Sequence, residues 1–254
     1  NVDGMCGVVD GGVVPGLYGY EAGQSGVGDI FAWYVDHAVP PEYHQAALDA
    51  GLGIHEYLES EAAKQAVGQH GLIALDWWNG NRSTLVDVDL SGLMIGMTLA
   101  TRAPDIYRAL IESTAFGTRE IIEAFEVRGV PVNELIAAGG LPEKNALLRQ
   151  IYADVTGRTL KLAGSAQSPA LGSAMHAAVA AGYYQDIQEA AEKMGKIKDD
   201  VVNPIPENSA VYDRLYSEYK ALYDTFGRGG NDVMKRLRKI RHEVLTADGQ
   251  KDED

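Results

Sequence analysis

Apolar and polar positions alternate in ways that predict several helices. Apolar residues recur at helical spacing from Pro104 to about Val127, which predicts the strongest helix of the chain. The same spacing indicates a helix over Gly28–Asp36, another over Ser209–Thr225 and a basic one beginning near Asn231. Residues 40–70 are expected to be helical, with a polar face, and to connect these elements.

Short apolar runs between these stretches predict strands. The N-terminal run alternates β-branched residues with glycine and is expected to form a hairpin that turns at Asp10-Gly11-Gly12. Further strands are predicted at Gly71–Trp78, Leu135–Ala138 and Thr159–Gly164. Strands that alternate with helices favour an α/β fold in which helices pack against a sheet.

Glycine and proline mark where the helices of the second half begin and end. Pro142 is placed to open a helix, and Gly157 is placed to close it. For the alanine-rich stretch that follows, Ser168 is the expected N-cap and Pro169 the first helical residue, with Gly182 past the end.

Composition restricts the protein classes. The 254 residues are 46% apolar and 23% charged, which is typical of one large or two small globular domains. No apolar run reaches the roughly 18 residues of a membrane span, so we expect no membrane association. Cys6 is the sole cysteine, which excludes an internal disulfide and favours a reducing, cytoplasmic setting. The spacings CxxC, HxxxH and HExxH are absent, so we expect no built-in metal site.

The net charge of −14 argues against a nucleic-acid partner, because such proteins are usually basic. The exception is a basic stretch from Lys235 to Glu243, which we interpret as the solvated face of a terminal helix. The rival hypothesis, nucleic-acid binding through this stretch, predicts a steep salt dependence of binding. The polar tail that begins at Thr246 is expected to be frayed.

The segment IAAGGLPEKN is the first candidate binding site, because ligands of open α/β sheets sit outside the carboxyl ends of strands. Gly139 and Gly140 lack side chains and would let a flat or charged ligand touch the backbone. The N–H groups of the next helix would favour an anion, and Lys144 and Asn145 would add hydrogen bonds. The alternative, a tight strand-to-helix turn without a ligand, is equally compatible with the pattern.

The segment EAGQSGVGD is the second candidate, because Gly23, Gly26 and Gly28 stand where a helix begins. Glycine costs about 0.5–1 kcal/mol relative to alanine inside a helix, so either a special turn or a close neighbour is required. The segment matches neither a P-loop nor a Rossmann fingerprint. A path for phosphates and a close packing contact both remain possible interpretations.

Three other features have two interpretations each. Trp77 and Trp78 would either stack on a ligand or fill the core. Arg82 would meet either a phosphate or a surface acid. His176 is more simply explained as a core or edge histidine than as a functional one.

Taken together and in order, several segments resemble the C-terminal half of FGGY-family carbohydrate kinases, most closely the L-ribulokinase subgroup. They are CGVVDGGVVPGLYGYEAGQSGVGDIFAWYVDH, ALDWWNGNRST, GLMIGMTLATRAPDIYRALIESTAFGTR, AAGGLPEKN and SPALGSAMHAAVAAG. The resemblance covers residues 1–226 and implies the ribonuclease-H-like fold of the actin/hexokinase/Hsp70 superfamily, a mixed sheet flanked by helices. Residues 227–254 would then be a basic helix and an acidic, disordered tail.

The resemblance also implies roles for particular residues. Gly28 is expected beside the nucleotide, where a side chain would obstruct it. Gly139, Gly140 and Asn145 match the motif that closes over the purine and ribose. Glu21 matches a carboxylate at the sugar end of the cleft, where it would accept hydrogen bonds from substrate hydroxyls.

The activity implied is the ATP- and Mg²⁺-dependent phosphorylation of a ketopentose, most simply L-ribulose to L-ribulose 5-phosphate. The catalytic base and most of the sugar pocket are expected in an N-terminal lobe that this chain lacks, so we expect no catalytic residue here and no turnover by the chain alone. A homodimer is compatible with the family. The alternatives are another FGGY sugar or polyol kinase, acting on xylulose, D-ribulose or glycerol, and a non-catalytic nucleotide-binding module of the same fold.

Overall fold

The structure is a computed structural model of the chain, and it describes residues 1–247. The predicted α/β class is confirmed. The helices are α1 Val27–His37, α2 Pro41–Asp49, α3 Ile54–Ala62, α4 Ala103–Val127, α5 Gly140–Lys144, α6 Ala146–Thr156, α7 Ser168–Ala180, α8 Ile187–Met194, α9 Pro206–Gly227 and α10 Val233–Ala247. The strands are β1 Gly7–Asp10, β2 Tyr18–Glu21, β3 Ile73–Leu75, β4 Leu93–Ile95, β5 Leu135–Ala137, β6 Leu160–Ala163 and β7 Ile197–Val202.

The described strands form three small sheets. Strands β1 and β2 make the predicted antiparallel hairpin, with Val8 opposite Tyr20. Strands β3 and β4 form a second antiparallel pair. The third sheet is mixed, since β5 runs parallel to β6 and β7 runs antiparallel to β6. Helices α5 and α6 provide the connection that a parallel pair requires between β5 and β6.

Helix α4 lies at the centre of the core. Its buried side chains cover most of its circumference, and it packs against α1, α3, α6 and β3. Such all-round burial is typical of a helix enclosed by other elements. Leu110 and Ile111 are fully buried within it, and Phe116 lies under the rings of α9.

Helix α9 adds a row of four buried tyrosines at helical spacing: Tyr212, Tyr216, Tyr219 and Tyr223. The Tyr219 ring lies 5.3 Å from that of Phe116, centroid to centroid, and the Tyr216 and Tyr219 rings are stacked. Each hydroxyl finds a partner on another element, because a buried Tyr O–H needs one. The partners of the four hydroxyls are, in order, Glu112, Glu120, Asp76 and Thr84.

Several predicted boundaries are wrong by a few residues. The hairpin strands end at Asp10 as expected, but a longer loop follows, closed by a bond from Gly11 N to Leu17 O of 2.9 Å. Pro142 does not open a helix, since α5 begins at Gly140 and a second helix begins after Asn145.

The start of α7 also differs from the prediction. Ser168 is the first helical residue rather than the N-cap, and its hydroxyl donates to Ser165 O at 2.7 Å. Gln167 occupies the N-cap and Pro169 follows at the second helical position. The glycines past the helix ends are as predicted, because Gly157 and Gly182 both have positive φ.

Three elements, β4, α8 and β7, were not expected. Strand β7 has the sequence IKDDVV, whose adjacent acids interrupt the period-two pattern, and most of its residues are exposed. Helix α7 buries none of its residues, so His176 lies at the exposed edge rather than in a core.

Helix α10 carries the basic stretch, and its cations meet acids and a carbonyl of the segment before β4. Lys235 lies 2.6 Å from Asp87, and Arg238 donates to Val88 O at 2.9 Å. Met234 of the same helix is buried. These contacts favour a structural role for the basic face. The predicted disordered tail lies outside the described residues, apart from its first two positions, and the boundary at residue 226 stays a prediction.

Candidate functional site

The main candidate site is a cleft of about 740 Å³ between the first turns of α1 and α3, helix α5 and the side of α4. Four of the residues predicted to bind a nucleotide line it together: Gly28, Gly140, Lys144 and Asn145. They come from segments that lie far apart in the sequence. The two candidate motifs, which the sequence alone did not connect, therefore share one cavity.

The glycines leave space in the cleft. A β-carbon built at Gly28 or at Gly140 would meet no atom within 4 Å, so side chains there would project into open volume. Glycine at these two positions is therefore not required by packing inside the chain. It keeps the backbone accessible from the cleft, as the sequence interpretation proposed.

The cleft combines apolar walls with a small number of polar groups. Phe31, Ile54 and Leu141 supply apolar surface. His55 and Tyr107 also line the cleft, and His55 Nδ1 lies 3.1 Å from the Tyr107 hydroxyl. Burial lowers the pKa of His55, which keeps the imidazole uncharged at neutral pH, and burial raises the pKa of the Tyr107 hydroxyl.

Asn145 has a structural role in addition to its place in the cleft. Its Oδ1 accepts a hydrogen bond of 2.6 Å from Leu148 N, which caps helix α6. Its Nδ2 makes no hydrogen bond to any of residues 1–247. The capping bond fixes the side-chain rotamer, with the amide nitrogen not used by the cap.

Lys144 and Gly139 differ from their expected surroundings. Lys144 is exposed at the rim and forms no ion pair within the described chain. Gly139 does not line the cleft, and its φ of 98° and ψ of 176° place it in a region that only glycine adopts. Helix α5 has five residues, so its dipole adds little for an anion. The turn alone accounts for glycine at 139, and its contact with a nucleotide stays a prediction.

Each glycine of EAGQSGVGD has its own physical reason. Gly28 faces the cleft, whereas Gly26 caps α1 with a φ of 91°. Gly23 makes room for Arg82, whose Cδ would lie 3.0 Å from a β-carbon at that position. The three glycines are thus explained separately, by a close contact at Gly23, a left-handed cap at Gly26 and an open cleft at Gly28.

Glu21, the predicted sugar-side residue, does not line the main cleft. It stands at the end of β2, and its Oε1 lies 2.6 Å from Arg82 NH2. Of the two interpretations of Arg82, the described chain shows the one in which it meets an acid. Glu21 remains a prediction as a sugar ligand.

The two tryptophans have separate surroundings. Trp77 is buried in the core, where its ring contacts Tyr223 edge to face. Trp78 is partly exposed and packs against Trp33, with ring centroids 4.7 Å apart. Residues Ser25, Asp29 and Asn79 join this pair around a smaller depression of about 370 Å³.

Sequence reasoning missed several cleft residues of the first half of the chain. His55 and Glu59 belong to the connecting material of residues 40–70, and Tyr107 belongs to the core helix α4. Glu59 Oε1 accepts from Leu147 N at 3.1 Å, which ties α3 to α6 beside the cleft. None of these residues forms a motif, so no signal in the pattern pointed to them.

A buried polar network holds the EAGQS segment against α4. Gln24 Nε2 donates to Asp76 Oδ2 at 2.7 Å and to Thr114 O at 2.8 Å, and Thr118 Oγ1 donates to Gln24 Oε1. Tyr219 donates to the other oxygen of Asp76. Burial raises the pKa of Asp76, because these hydrogen bonds offset only part of the desolvation.

Within residues 1–247, no three His, Cys, Asp or Glu side chains cluster as a metal site. The helices over the same range include none with the length and apolar character needed to cross a bilayer.

Comparison with known proteins identifies the family and the fold of the chain. Residues 1–181 match the FGGY family of carbohydrate kinases, C-terminal domain. The chain belongs to the FGGY family of carbohydrate kinases. Among solved structures, the xylulose kinase of Rhodospirillum rubrum superposes with a TM-score of 0.65 at 25% identity, covering 84% of this chain and 40% of that chain. The predicted actin/hexokinase-like fold is thereby confirmed.

Several curated relatives of this FGGY chain are ribulokinases. It is 61% identical over 250 residues to the ribulokinase of Geobacillus thermodenitrificans and 61% identical over 241 residues to that of Anoxybacillus flavithermus. These alignments cover 97% and 93% of this chain but 44% and 43% of the relatives. The chain therefore spans less than half the length of the relatives it matches.

Proposed function

We propose that this chain is the nucleotide-binding half of an ATP-dependent ketopentose kinase that converts L-ribulose to L-ribulose 5-phosphate. The relatives named ribulokinase, at 61% identity across almost the whole chain, support the substrate. Their greater length supports a further lobe that provides the opposite wall of the site. A cytoplasmic location and a homodimer stay predictions.

The observation that carries the proposal is the convergence of Gly28, Gly140 and Asn145 on one cleft. Its volume lies within the roughly 300–1,000 Å³ typical of small-molecule sites, and its walls are apolar with few polar groups. An adenine nucleoside fits this chemistry. The purine would lie along the exposed backbone of the two glycines, and the Asn145 amide would donate to it or to the ribose.

The residues of this chain bind and orient, and none is assigned as the catalytic base. Phosphoryl transfer depends on positioning and charge stabilisation, so alignment of the nucleotide is the main contribution of this half. Lys144 at the rim carries the positive charge suited to a phosphate. Mg²⁺, which usually binds through nucleotide phosphates and a few carboxylates, would enter with ATP and neutralise phosphate charge.

The binding assignment is tested by calorimetry of the purified chain with ATP and Mg²⁺. Gly28→Val and Gly140→Val place side chains in the cleft and are each expected to weaken ATP binding tenfold or more, on the order of 1.4 kcal/mol. Gly172→Val is the matched control, because a side chain at that α7 position also meets open space but lies outside the cleft. Equal affinity in all three variants would remove these residues from the site.

The activity is tested with the full-length protein that contains this chain and a panel of pentuloses and polyols. L-Ribulose is expected to give the highest kcat/KM. Preference for xylulose, D-ribulose or glycerol would select another FGGY kinase, and ATP binding without phosphorylation of any of them would select the non-catalytic module. We expect no turnover by the isolated chain, so sugar-dependent ADP release from it would contradict the missing-lobe argument.

A further inference from the structure

Arg82 reaches across from a separate loop to the carboxylate at the end of β2. It lies in the segment between β3 and β4, and its NH2 group is 2.6 Å from Glu21 Oε1. The side chains are 55% and 63% exposed, and pairs this exposed contribute only about 0–1 kcal/mol to stability. Stability therefore gives little reason for the contact.

The Arg82 guanidinium group has a second contact in addition to Glu21. Arg82 Nε donates to Cys6 Sγ at 3.2 Å. The arginine stem crosses Gly23, where a β-carbon would lie 3.0 Å from Cδ and 3.3 Å from Nε. The absence of a side chain at residue 23 thus leaves space for the Arg82 side chain to extend to Glu21.

The loop that carries Arg82 is itself fixed. Asn81 is buried and exchanges two backbone hydrogen bonds of 2.8 Å with Asp87. Ser83, also buried, accepts a hydrogen bond from Gly23 N at 3.2 Å, and Thr84 bonds the Tyr223 hydroxyl at 2.7 Å. Arg82 therefore projects from an anchored support toward a glutamate at a strand end.

We propose that Arg82 is a positioning residue that orients Glu21 toward the sugar. This inference rests on the proposed function. The guanidinium engages Oε1, while Oε2 makes no hydrogen bond to any of residues 1–247 and is left to accept from a substrate hydroxyl. A free glutamate would sample several rotamers, and fixing one reduces the entropy lost on sugar binding.

The test uses steady-state kinetics of the full-length protein with L-ribulose and ATP. Arg82→Met is expected to raise the KM for L-ribulose about tenfold while the KM for ATP stays within about twofold. Gly23→Ala displaces the arginine without removing it and is expected to act in the same direction. Arg82→Lys keeps the charge near Glu21 and is expected to restore part of the loss. Arg128→Met is the control, because Arg128 also forms an exposed pair with a carboxylate, that of Asp3.

A double-mutant cycle shows whether Arg82 acts through Glu21. In a Glu21→Gln background, Arg82→Met is expected to change the KM for L-ribulose by less than about twofold, because its partner is already removed. A full additional loss would mean that Arg82 contacts the substrate directly and would overturn the positioning role. An unchanged KM in Arg82→Met alone would overturn it as well.

The two proposals fail in distinguishable ways. If the unmodified full-length protein phosphorylates no ketopentose, the proposed function falls and the positioning role falls with it. If the unmodified protein is active and Arg82→Met matches Arg128→Met in both KM values and in melting temperature, only the positioning role falls.

Discussion

Gly117 and Asp76 lie so close together that a β-carbon at residue 117 would stand 2.5 Å from Asp76 Oδ2 and 2.4 Å from Gln24 Nε2. Gly117 is in the middle of α4, where alanine would be preferred by about 1 kcal/mol if packing allowed it. Because Gly117 has no side chain, Gln24 of the EAGQS segment and Asp76 after strand β3 can pack against helix α4.

Replacing Gly117 by alanine is therefore expected to destabilise the chain despite the gain in helix propensity. Overpacking of this kind costs about 1–3 kcal/mol. Gly172→Ala in α7 is the control, because its β-carbon would meet nothing within 4 Å and should stabilise by up to about 1 kcal/mol. Urea unfolding of both variants measures the difference. An equal increase in the free energy of unfolding of both would contradict the close contact at Gly117.

The stability of the Asp76→Asn variant relative to the wild-type chain is expected to increase as the pH rises. Burial raises the pKa of Asp76 in the folded chain above its unfolded value of about 3.9. The stability contribution of this carboxyl is thus fully present below the unfolded pKa and is lost as the pH rises through the folded pKa. Asparagine avoids the loss, since its oxygen can accept from Gln24 and its nitrogen can donate to Tyr219.

Unfolding free energies at pH 4–8 for the wild-type chain and Asp76→Asn would show this difference. Asp10→Asn, at an exposed strand end, controls for the removal of a carboxylate in general. Parallel curves for wild type and Asp76→Asn across the range would rule out a raised pKa at Asp76.

Glu112→Gln is expected to lower the free energy of unfolding by about 3–5 kcal/mol. The substitution breaks a buried ion pair and leaves Arg108 without its charged partner. Arg108 Nε donates to Glu112 Oε1 at 2.9 Å, and Tyr212 donates to the same oxygen. Leu72 N donates to His70 Nδ1, and His70 Nε2 lies 3.0 Å from Glu112 Oε2.

The pH dependence of this pair has the opposite sign. Burial opposes the charge on Glu112, but the hydrogen bonds and charges of His70 and Arg108 outweigh it and lower the pKa. The contribution is present above the unfolded pKa of about 4.3 and is lost as the pH falls through the folded pKa. Thermal or urea unfolding measures it. Glu61→Gln, which disturbs the exposed Glu61–Lys64 pair, is expected to change stability by less than about 1 kcal/mol.

Asn145→Asp should separate the two roles of residue 145. A carboxylate still accepts from Leu148 N, so the stability of the chain is expected to change by less than about 0.5 kcal/mol. The amide donor is lost, so adenosine binding is expected to weaken. Using adenosine rather than ATP avoids repulsion between the new charge and the phosphates. Asn145→Ala should lose both properties, and undiminished adenosine binding by Asn145→Asp would exclude the amide as a ligand.

The long periodic elements followed from the sequence alone. Helix α4, the start of α1, strands β5 and β6 and the glycines past the helix ends depend on local spacing and backbone dihedrals, which neighbouring residues determine. The ordered series of FGGY-like segments identified the family. Strands β4 and β7 and helix α8 did not follow. Strand β7 carries adjacent charges, and the two strands are defined by their pairing, with β3 and β6 respectively, rather than by their own patterns.

The composition of the candidate sites depended on tertiary structure. Glycine corners 28 and 140 were visible in the sequence, but only packing joined them to His55 and Tyr107 around one cleft. The contact between Glu21 and Arg82 and the fit of Asp76 against Gly117 join residues that are distant in the chain. Periodicity describes which face of an element is buried. It does not specify which side chains from other segments meet there, because that is determined by how the elements pack in three dimensions.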